Sequence, residues 1–544
     1  MRSTVGLFFL LSALSSPCFA ASPPTEFGTS WDNPRTAAPP IQRPATKSCS
    51  VEIVNHGFSN FEPYKNSIEP PSDCPGPWAK IVLDLDGSVK GRQYDRLARI
   101  EIGGVVVLRS STPEPSREGI SWHVEKDLSR YASLFAHKQD VTMELGNVVN
   151  ETYSGVFAIK ARVTFYQADA KHPAVTVAAD RVEAPQIKSH EGPDYVASFA
   201  VPDSTERLVI EAFATGSGGG CEEFWYLTAP KELKYSCPAE QGPYREVQLL
   251  IDGRVAGIAL PYPHIWTGGW SNPFLWYVLP APRTFDIRPA EFDITPLVGT
   301  LNDGKPHELR VHVLGVGEDS KGWSIQASLH QWLDASGKAT RGRLREHKLS
   351  EIKLSRPINA GKDGGASTAT NAAHDLHLSG ELETSHGKVI TSVDYRLSNR
   401  DEHRWDKDEN HDHLTADWSD RVVVSRDTDG KRVTPPQVRE FRYAIDGEIF
   451  TQKVEDKERL TTQIRIDDVA EIRPGDEERA EAMQTLDHFE GSAAYNQKVP
   501  REQRRATGRS SERYERHSHG NCYDKMIEQT NGIITAQTDG CSAH

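Results

Sequence analysis

Residues 98–108 read ARIEIGGVVVL, and this stretch sets the pattern for most of the chain. In its first half, apolar and charged side chains alternate, which is the two-residue period of a half-buried β-strand. Gly103 and Gly104 follow, and glycine readily adopts the positive φ angles that tight hairpin turns need. The stretch therefore predicts a β-hairpin that leads into a second, apolar strand.

The same alternation recurs at residues 141–145 and 157–165, and no long helical period accompanies it. Short strands separated by turns indicate a β-sandwich or a jelly roll. A weak internal repeat supports two such units, because the hairpin, residues 127–130 and the strand at 141–145 have counterparts at 251–253, 293–296 and 308–313. The predicted fold class is all-β, with two jelly-roll-like β-sandwich domains packed side by side and a β-rich C-terminal portion.

The predicted domain boundaries follow the repeat and the composition of the connecting segments. We expect a signal peptide at 1–20, an N-terminal extension at 21–48, a first jelly-roll domain at 49–178, a second at 179–350 and a β-rich C-terminal domain at 370–544. The glycine-rich residues 360–368 are interpreted as a linker, and the basic residues 501–519 as a mobile loop.

The first twenty residues have the pattern of a secretory signal peptide. Arg2 precedes the apolar run LFFLL at residues 7–11, and residues 18–20 offer a cleavage site. That run is too short to span a bilayer, so we predict a secreted or periplasmic protein without a membrane partner. The net charge of −14 argues against a nucleic-acid partner. The oligomeric state cannot be read from the sequence.

Six cysteines remain after the signal peptide, an even number that indicates disulfides in an exported chain. Six cysteines allow fifteen pairings in principle. Their grouping into three locally spaced pairs favours Cys49 with Cys74, Cys221 with Cys237, and Cys522 with Cys541.

Residues 218–226 read GGGCEEFWY and follow an apolar strand pattern at 208–214. Glycines let a backbone approach a ligand closely, carboxylates bind hydroxyls or activate water, and flat rings stack on sugars. The stretch is thus a candidate sugar site. The alternative is a turn with solvated glutamates and core aromatics.

Two motifs carry a resemblance to known enzymes. YDRLA at residues 94–98 and GCEEF at 220–224 resemble segments of peptide:N-glycosidase F. Longer runs resemble the peptide:N-glycosidase A type, known from plants and from acid-active bacterial relatives: CPGPW at 74–78, GRQYDR at 91–96, STPEP at 111–115, WHVEKD at 122–127, NVVNETY at 147–153, IDGRVAG at 251–257 and YPHIWTGG at 262–269. The resemblance covers roughly residues 49–345.

This resemblance implies hydrolysis of the amide that joins N-acetylglucosamine to asparagine in an N-glycoprotein or N-glycopeptide, with no cofactor and no metal. Carried over by motif, Asp95 resembles the water-activating acid and Glu223 the second acid. Arg96 resembles the positioning partner of Asp95, and we expect its charge to lower the pKa of that carboxyl.

The residues predicted to bind substrate are Arg96, Glu114, Glu222, Trp225, Trp266 and Trp270. Each tryptophan has core packing as its alternative role, and Glu222 can be confused with Glu223. In the F-type segment a tryptophan stands where this chain has Phe224. The acids and histidines of residues 401–413 are interpreted as a solvated loop, since their spacing fits no known metal motif.

Two other functions stay open from the sequence. One is a non-catalytic glycan-binding protein on the same scaffold. The other is an endo-acting glycoside hydrolase with Asp95 and Glu223 as its acid pair, because two carboxylates that flank a bond also perform that chemistry.

Overall fold

The computed structural model of the chain describes residues 22–317, 322–432, 435–474, 482–518 and 521–541. Nearly all regular secondary structure in these ranges is β-strand, and the α-helix Val298–Leu301 has four residues. The predicted all-β fold class is therefore confirmed. The predicted signal peptide lies outside the described residues. Within the described ranges, no helix combines the length and apolarity needed to cross a membrane.

Eight strands form the first sandwich. They are β1 (Ser48–Phe58), β2 (Tyr64–Ile68), β3 (Trp78–Val89), β4 (Leu97–Ile102), β5 (Val105–Ser111), β6 (Ile120–Asp127), β7 (Gln139–Leu145) and β8 (Phe157–Gln167). They pair as two antiparallel sheets, in the orders β1-β8-β3-β6 and β2-β7-β4-β5. This is the strand order of a jelly roll, in which each sheet joins strands that are distant in sequence. The hairpin predicted at residues 98–108 is formed by β4 and β5.

Residues 181–333 form a second sandwich of the same plan. Its strands are β9 (Arg181–Glu183), β10 (Gln186–Glu191), β11 (Asp194–Phe199), β12 (Thr205–Gly216), β13 (Ala229–Pro230), β14 (Pro238–Ala239), β15 (Glu246–Ile251), β16 (Arg254–Ala259), β17 (Ala290–Asp293), β18 (His307–Leu314) and β19 (Trp323–Leu333). Its two main sheets have the orders β10-β11-β18-β15-β16 and β17-β12-β19-β9. Strands β13 and β14 form a separate short pair.

The internal repeat corresponds to a shared turn after β6 and after β17. Asp127 Oδ1 accepts the amide of Ser129 at 2.9 Å, and Asp293 Oδ1 accepts the amide of Thr295 at 3.1 Å. The hydroxyls of Ser129 and Thr295 then accept amides of Ile81 in β3 and of Leu208 in β12, at 3.1 and 3.2 Å. The turn thus joins equivalent strands in both sandwiches: β6 to β3 in the first, and β17 to β12 in the second.

The C-terminal portion is one large antiparallel sheet. It contains β20 (Arg341–Leu349), β21 (Lys353–Ser355), β22 (Ile358–Ala360), β23 (Ala366–Thr384), β24 (Gly387–Trp405), β25 (His411–Thr428), β26 (Lys431–Arg432), β27 (Gln437–Val454), β28 (Lys457–Pro474), β29 (Met483–Asn496), β30 (Thr507–Ser518), β31 (Asn521–Thr530) and β32 (Ile533–Asp539). Its main path runs β20-β23-β24-β25-β27-β28-β29-β30-β31-β32.

Two sequence interpretations of this portion are wrong. The linker at residues 360–368 is instead a tight turn between β22 and β23, where Gly361 donates to the carbonyl of Gly365 at 2.7 Å. Most of the expected mobile loop at 501–519 is strand β30. Strand β20, which lies in the predicted second domain, pairs with β23 of the large sheet. The exact domain boundaries stay predictions.

The large sheet packs against the second sandwich through aromatic side chains. Trp276 stacks on Phe489 with ring centroids 4.8 Å apart, and Trp225 lies 5.4 Å from Trp418. An ion pair between Arg283 and Asp468 at 2.5 Å reinforces the same contact. The core is therefore continuous across the two parts of the molecule.

The N-terminal extension packs against the second sandwich and the C-terminal strands. The amide of Phe27 donates to the carbonyl of Ala506 at 2.7 Å, and the amide of Asp32 donates to Gly532 at 2.8 Å. Trp31 stacks on Tyr277 with a centroid separation of 4.0 Å and an interplanar angle of 3°. The extension thus joins the second sandwich to the last strands.

All three predicted disulfides are present. Cys49–Cys74, Cys221–Cys237 and Cys522–Cys541 have Cα–Cα distances of 6.0, 5.4 and 5.9 Å. These distances lie in the normal range for disulfides. Three disulfides fit a protein that resides outside the reducing cytosol.

Candidate active site

A cleft of about 950 Å³ is lined by all three parts of the molecule. The first sandwich contributes residues 91–95 and 114–117, and the second contributes residues 223–224 and several residues between 266 and 277. The C-terminal sheet adds side chains from residues 495–504. The loops of the two sandwiches therefore meet at one concave site.

Asp95 lies in this cleft, just before β4. Its Oδ2 accepts the backbone amide of Gly268 at 2.9 Å and the hydroxyl of Thr267 at 3.1 Å. Burial raises the pKa of Asp95 to about 6, against the lowering effect of these two hydrogen bonds. The nearby charge of Glu223 raises the pKa further. A carboxyl with a pKa near neutrality is suited to accept a proton from water.

Glu114 is a second carboxyl beside Asp95 and is buried, in the loop that follows β5. A β-carbon placed on Gly268 would lie 3.2 Å from Glu114 Oε1 and 3.8 Å from Asp95 Oδ2, so both acids face this glycine. Burial and the charge of Asp95 raise the pKa of Glu114 well above its usual value. A hydrogen bond from the Tyr277 hydroxyl acts in the opposite direction.

Glu223 reaches the cleft from a 3-10 helix, Cys221–Leu227, that follows three glycines. Gly218, Gly219 and Gly220 all have φ angles near +86°, a conformation that other residues rarely adopt. This backbone turns the amide of Gly219 towards Glu223 Oε1, to which it donates at 2.7 Å. The glycine loop thereby fixes the orientation of the carboxylate.

Comparison with known proteins identifies the family of this chain. The family described as "Peptide N-acetyl-beta-D-glucosaminyl asparaginase amidase A" matches residues 37–350. The chain belongs to this family. The match includes Asp95, Glu114 and Glu223, and it ends just after β20, the first strand of the large sheet.

A curated relative from Prunus dulcis, "Peptide-N4-(N-acetyl-beta-glucosaminyl)asparagine amidase A", is 31% identical over 385 residues. The aligned region is 65% of this chain and 66% of the relative, slightly less than two thirds of its length. A solved structure described as "Structure of PNGF-II in P21 space group" covers 53% of this chain and 66% of its own, with 12% identity and a TM-score of 0.36. That similarity is too low to support an inference.

Arg96 was predicted to bind substrate and to position Asp95, and it does not line the cleft. Its Nη2 donates to Gln93 Oε1 at 2.8 Å, and its Nη1 donates to the carbonyl of Asp95 at 3.2 Å. The charge of Arg96 lowers the pKa of Asp95 less than the hydrogen bonds from Gly268 and Thr267 do. Because burial outweighs all three effects, the pKa of Asp95 is raised overall. Arg96 therefore shapes the backbone that carries Asp95.

Glu222 does not line the cleft, in contrast to the prediction. Its two oxygens accept Arg245 Nη2 at 2.7 Å and Nε at 3.0 Å, and Oε2 also accepts Trp323 Nε1 at 2.8 Å. Both Glu222 and Arg245 are buried. The pair is structural, since both carboxylate oxygens are occupied.

The three predicted tryptophans separate into one cleft residue and two core residues. Trp266 lines the cleft, beside His264 at a ring-centroid distance of 4.9 Å. Trp225 packs against Trp418 and does not line the cleft. Trp270 is buried against the large sheet, where a β-carbon on Gly447 would lie 2.4 Å from its ring. Only Trp266 keeps its expected position for stacking on a sugar.

Several cleft residues were not predicted. Tyr94 is 47% exposed at the rim, and its ring lies 5.4 Å from that of Tyr153. Tyr277 and the pair Arg501 and Arg504 also line the cleft or contact its acids. The motif TGG at 267–269 was a visible signal for the Asp95 contacts. No signal in the sequence marks the two arginines.

Within residues 401–413, Asp401, His403 and Asp412 are buried at the ends of β24 and β25, whereas the turn at 406–410 is largely exposed, so the predicted solvated loop is limited to that turn. His403 Nε2 lies 2.6 Å from Asp412 Oδ1, and the Tyr235 hydroxyl donates to Asp412 Oδ2 at 2.5 Å. The strand ends β24 and β25 bury these groups against the second sandwich. Among the described residues, two clusters elsewhere have the spacing to hold a metal ion, whereas residues 401–413 do not, and neither cluster lines the cleft: Asp84, His123 and Glu125; and Glu206, Asp334 and His386.

Proposed function

We propose that this protein is an exported amidase that hydrolyses the bond between N-acetylglucosamine and asparagine in N-glycopeptides or N-glycoproteins. Family membership supports the reaction class, and the three disulfides support an oxidising location. The observation that carries the proposal is the placement of Asp95, Glu114 and Glu223 in one cleft between two sandwiches.

In the proposed reaction, ionised Asp95 removes a proton from a water molecule. The water oxygen forms a bond to the amide carbonyl carbon, and the bond from that carbon to the glycosyl nitrogen breaks. The products are an aspartate and a glycosylamine. Gly268 and Thr267 hold Asp95 in place through the step, so no rearrangement is needed before proton transfer.

The leaving nitrogen needs a proton, and Glu114 is suited to supply it. Burial and the charge of Asp95 both raise its pKa, which favours a protonated Glu114 beside an ionised Asp95. Two acids with pKa values pushed apart by their surroundings can act as acid and base in one site. Glu223, fixed by Gly219, is then the group that orients a sugar hydroxyl or the water. Trp266 offers a ring for stacking on a sugar.

Mass spectrometry of one N-glycopeptide incubated with the protein tests the proposal, with Asp95→Asn as the control. The amidase predicts a released glycan and a peptide in which asparagine has become aspartate. A single N-acetylglucosamine left on asparagine would identify a glycoside hydrolase instead. An unchanged glycopeptide that is retained on the immobilised protein would identify a binding protein.

A further inference from the structure

A loop from the large sheet closes one side of the cleft. Residues 497–506 connect β29 to β30, and Val499, Pro500, Arg501 and Arg504 from this loop line the cleft. The loop lies outside the family match at residues 37–350. This wall is therefore added by the C-terminal portion to a site whose acids lie within the matched region.

The loop is held on both of its sides. Glu502 forms an ion pair with Arg117 of the first sandwich at 2.6 Å. The carbonyl of Arg504 accepts the amide of Asn496 at 2.7 Å, and the carbonyl of Ala506 accepts the amide of Phe27. These contacts fix the backbone that presents Arg501 and Arg504 to the cleft.

Arg501 and Arg504 carry charges that no carboxylate of the described chain neutralises in an ion pair. Their guanidinium groups instead lie 5.5 Å from the ring centroids of Trp31 and Tyr495, respectively. Both charges lower the pKa of Glu114, so their field reaches the acids of the cleft. Two cations that form no ion pair within the described part of the chain contrast, at this place, with the net charge of −14.

We propose that Arg501 and Arg504 bind a carboxylate of the substrate close to the bond that is cleaved, so that the enzyme selects acidic glycopeptides. Guanidinium groups recognise carboxylates through paired, charge-assisted hydrogen bonds. The carboxylate can come from the peptide next to the glycosylated asparagine or from an acidic sugar. Proximity to Glu114 favours the peptide, because terminal sugars lie far from the amide. This inference rests on the proposed amidase function.

The test compares three substrates. Two glycopeptides share one neutral glycan and carry either Glu or Gln beside the glycosylated asparagine, and the third joins the Gln peptide to a sialylated glycan. We expect the wild type to prefer the Glu peptide by about tenfold in kcat/KM, the effect of one charged hydrogen-bonded contact. Arg501→Gln with Arg504→Gln should bring that ratio close to one.

Arg505→Gln is the matched control, because Arg505 points towards Glu455 at 3.5 Å and does not line the cleft. It should keep the wild-type preference. A preference confined to the sialylated substrate, and lost in the double variant, would assign the carboxylate to the glycan. Equal kcat/KM for all substrates in the wild type, or a preference that survives in the double variant, would overturn the inference.

The two proposals fail in different ways. If no substrate is cleaved, the amidase proposal is wrong. Fluorescence anisotropy with the Asp95→Asn variant would then still compare affinities for the Glu and Gln peptides, and equal affinities would separately contradict the role of the two arginines.

Discussion

At the residue scale, the burial of Asp95, offset in part by its two hydrogen bonds, determines the pH at which this carboxyl ionises. Activity that needs ionised Asp95 should rise with pH through about 6, where its carboxyl loses its proton. This expectation differs from the acid-active behaviour that the family resemblance implies. The difference comes from burial, which no motif reports.

Thr267→Val should move this rise to higher pH. The hydroxyl of Thr267 lowers the pKa of Asp95, so its removal raises that pKa. A hydrogen bond to a charged group of about 1.5 kcal/mol corresponds to a shift of about one pH unit. The measurement is the pH profile of kcat/KM. Thr267→Ser keeps the hydroxyl and should keep the wild-type profile; an unchanged profile in Thr267→Val would contradict the assignment of Asp95.

The neighbouring Glu222 and Glu223 should respond in opposite ways to the same substitution. Glu222→Gln leaves Arg245 buried without its counter-charge, which should cost about 3–5 kcal/mol of unfolding free energy. Glu223→Gln should change stability by less than about 0.5 kcal/mol and reduce kcat/KM. Thermal melting and kinetics on both variants check this. A stable, inactive Glu222→Gln would reverse the two roles.

The sequence predicted the acids but could not separate these two. Adjacent residues share the same local composition, and the 3-10 helix sends one side chain to the core and the other to the cleft. Trp225, Trp266 and Trp270 were all predicted to bind substrate, and only Trp266 of the three lines the cleft. Their places depend on Trp418 and Gly447, which are distant in sequence.

At the element scale, the disulfide Cys221–Cys237 braces the loop that carries Glu223. Replacing both cysteines by serine should cost about 3 kcal/mol, given a sequence separation of 16, and should also reduce kcat/KM. The pair Cys522–Cys541, with a separation of 19, offers a matched control on the last two strands. Its removal should cost similar stability and leave kcat/KM unchanged at a temperature well below melting. Equal kinetic effects of the two pairs would contradict a bracing role.

Short elements were predictable where local rules decide them. The glycine pair at 103–104 and the Asp-x-Ser/Thr turns after β6 and β17 are fixed by contacts within a few residues. The turn at 360–368 and strand β30 were missed, because glycine and charge in a sequence suggest mobility. Pairing with neighbouring strands overrides that local tendency.

At the scale of the whole molecule, the large sheet packs against the second sandwich and buries its aromatic side chains. Its strands β23, β24, β25, β27 and β28 have 18 or 19 residues, and their buried face contacts the aromatic side chains of the sandwich. At roughly 3.3 Å per residue, each spans about 60 Å. The sequence indicated β structure here, but alternating charged residues gave no sign that the strands would join in one sheet.

A fragment of residues 22–350, which contains the family match, should therefore not fold by itself. Removal of the sheet would expose Trp225, Trp270 and Trp276, which are buried in the whole chain. Circular dichroism and limited proteolysis of this fragment, beside the full chain, provide the measurement. A soluble fragment with wild-type kcat/KM would show that the sheet is dispensable both for folding and for the cleft.

The docking of the N-terminal extension has a consequence for the order of assembly. The amide of Ile534 donates to Asp32 Oδ2 at 2.8 Å, across 502 residues of chain. During synthesis, the segment that supplies Trp31 to Tyr277 emerges long before its partners do. Contacts between such distant residues form late, because a very long loop must close first. The support of Tyr277, and through it of Glu114, is thus completed only when the last strands have been made, so an unfinished chain has an unfinished cleft.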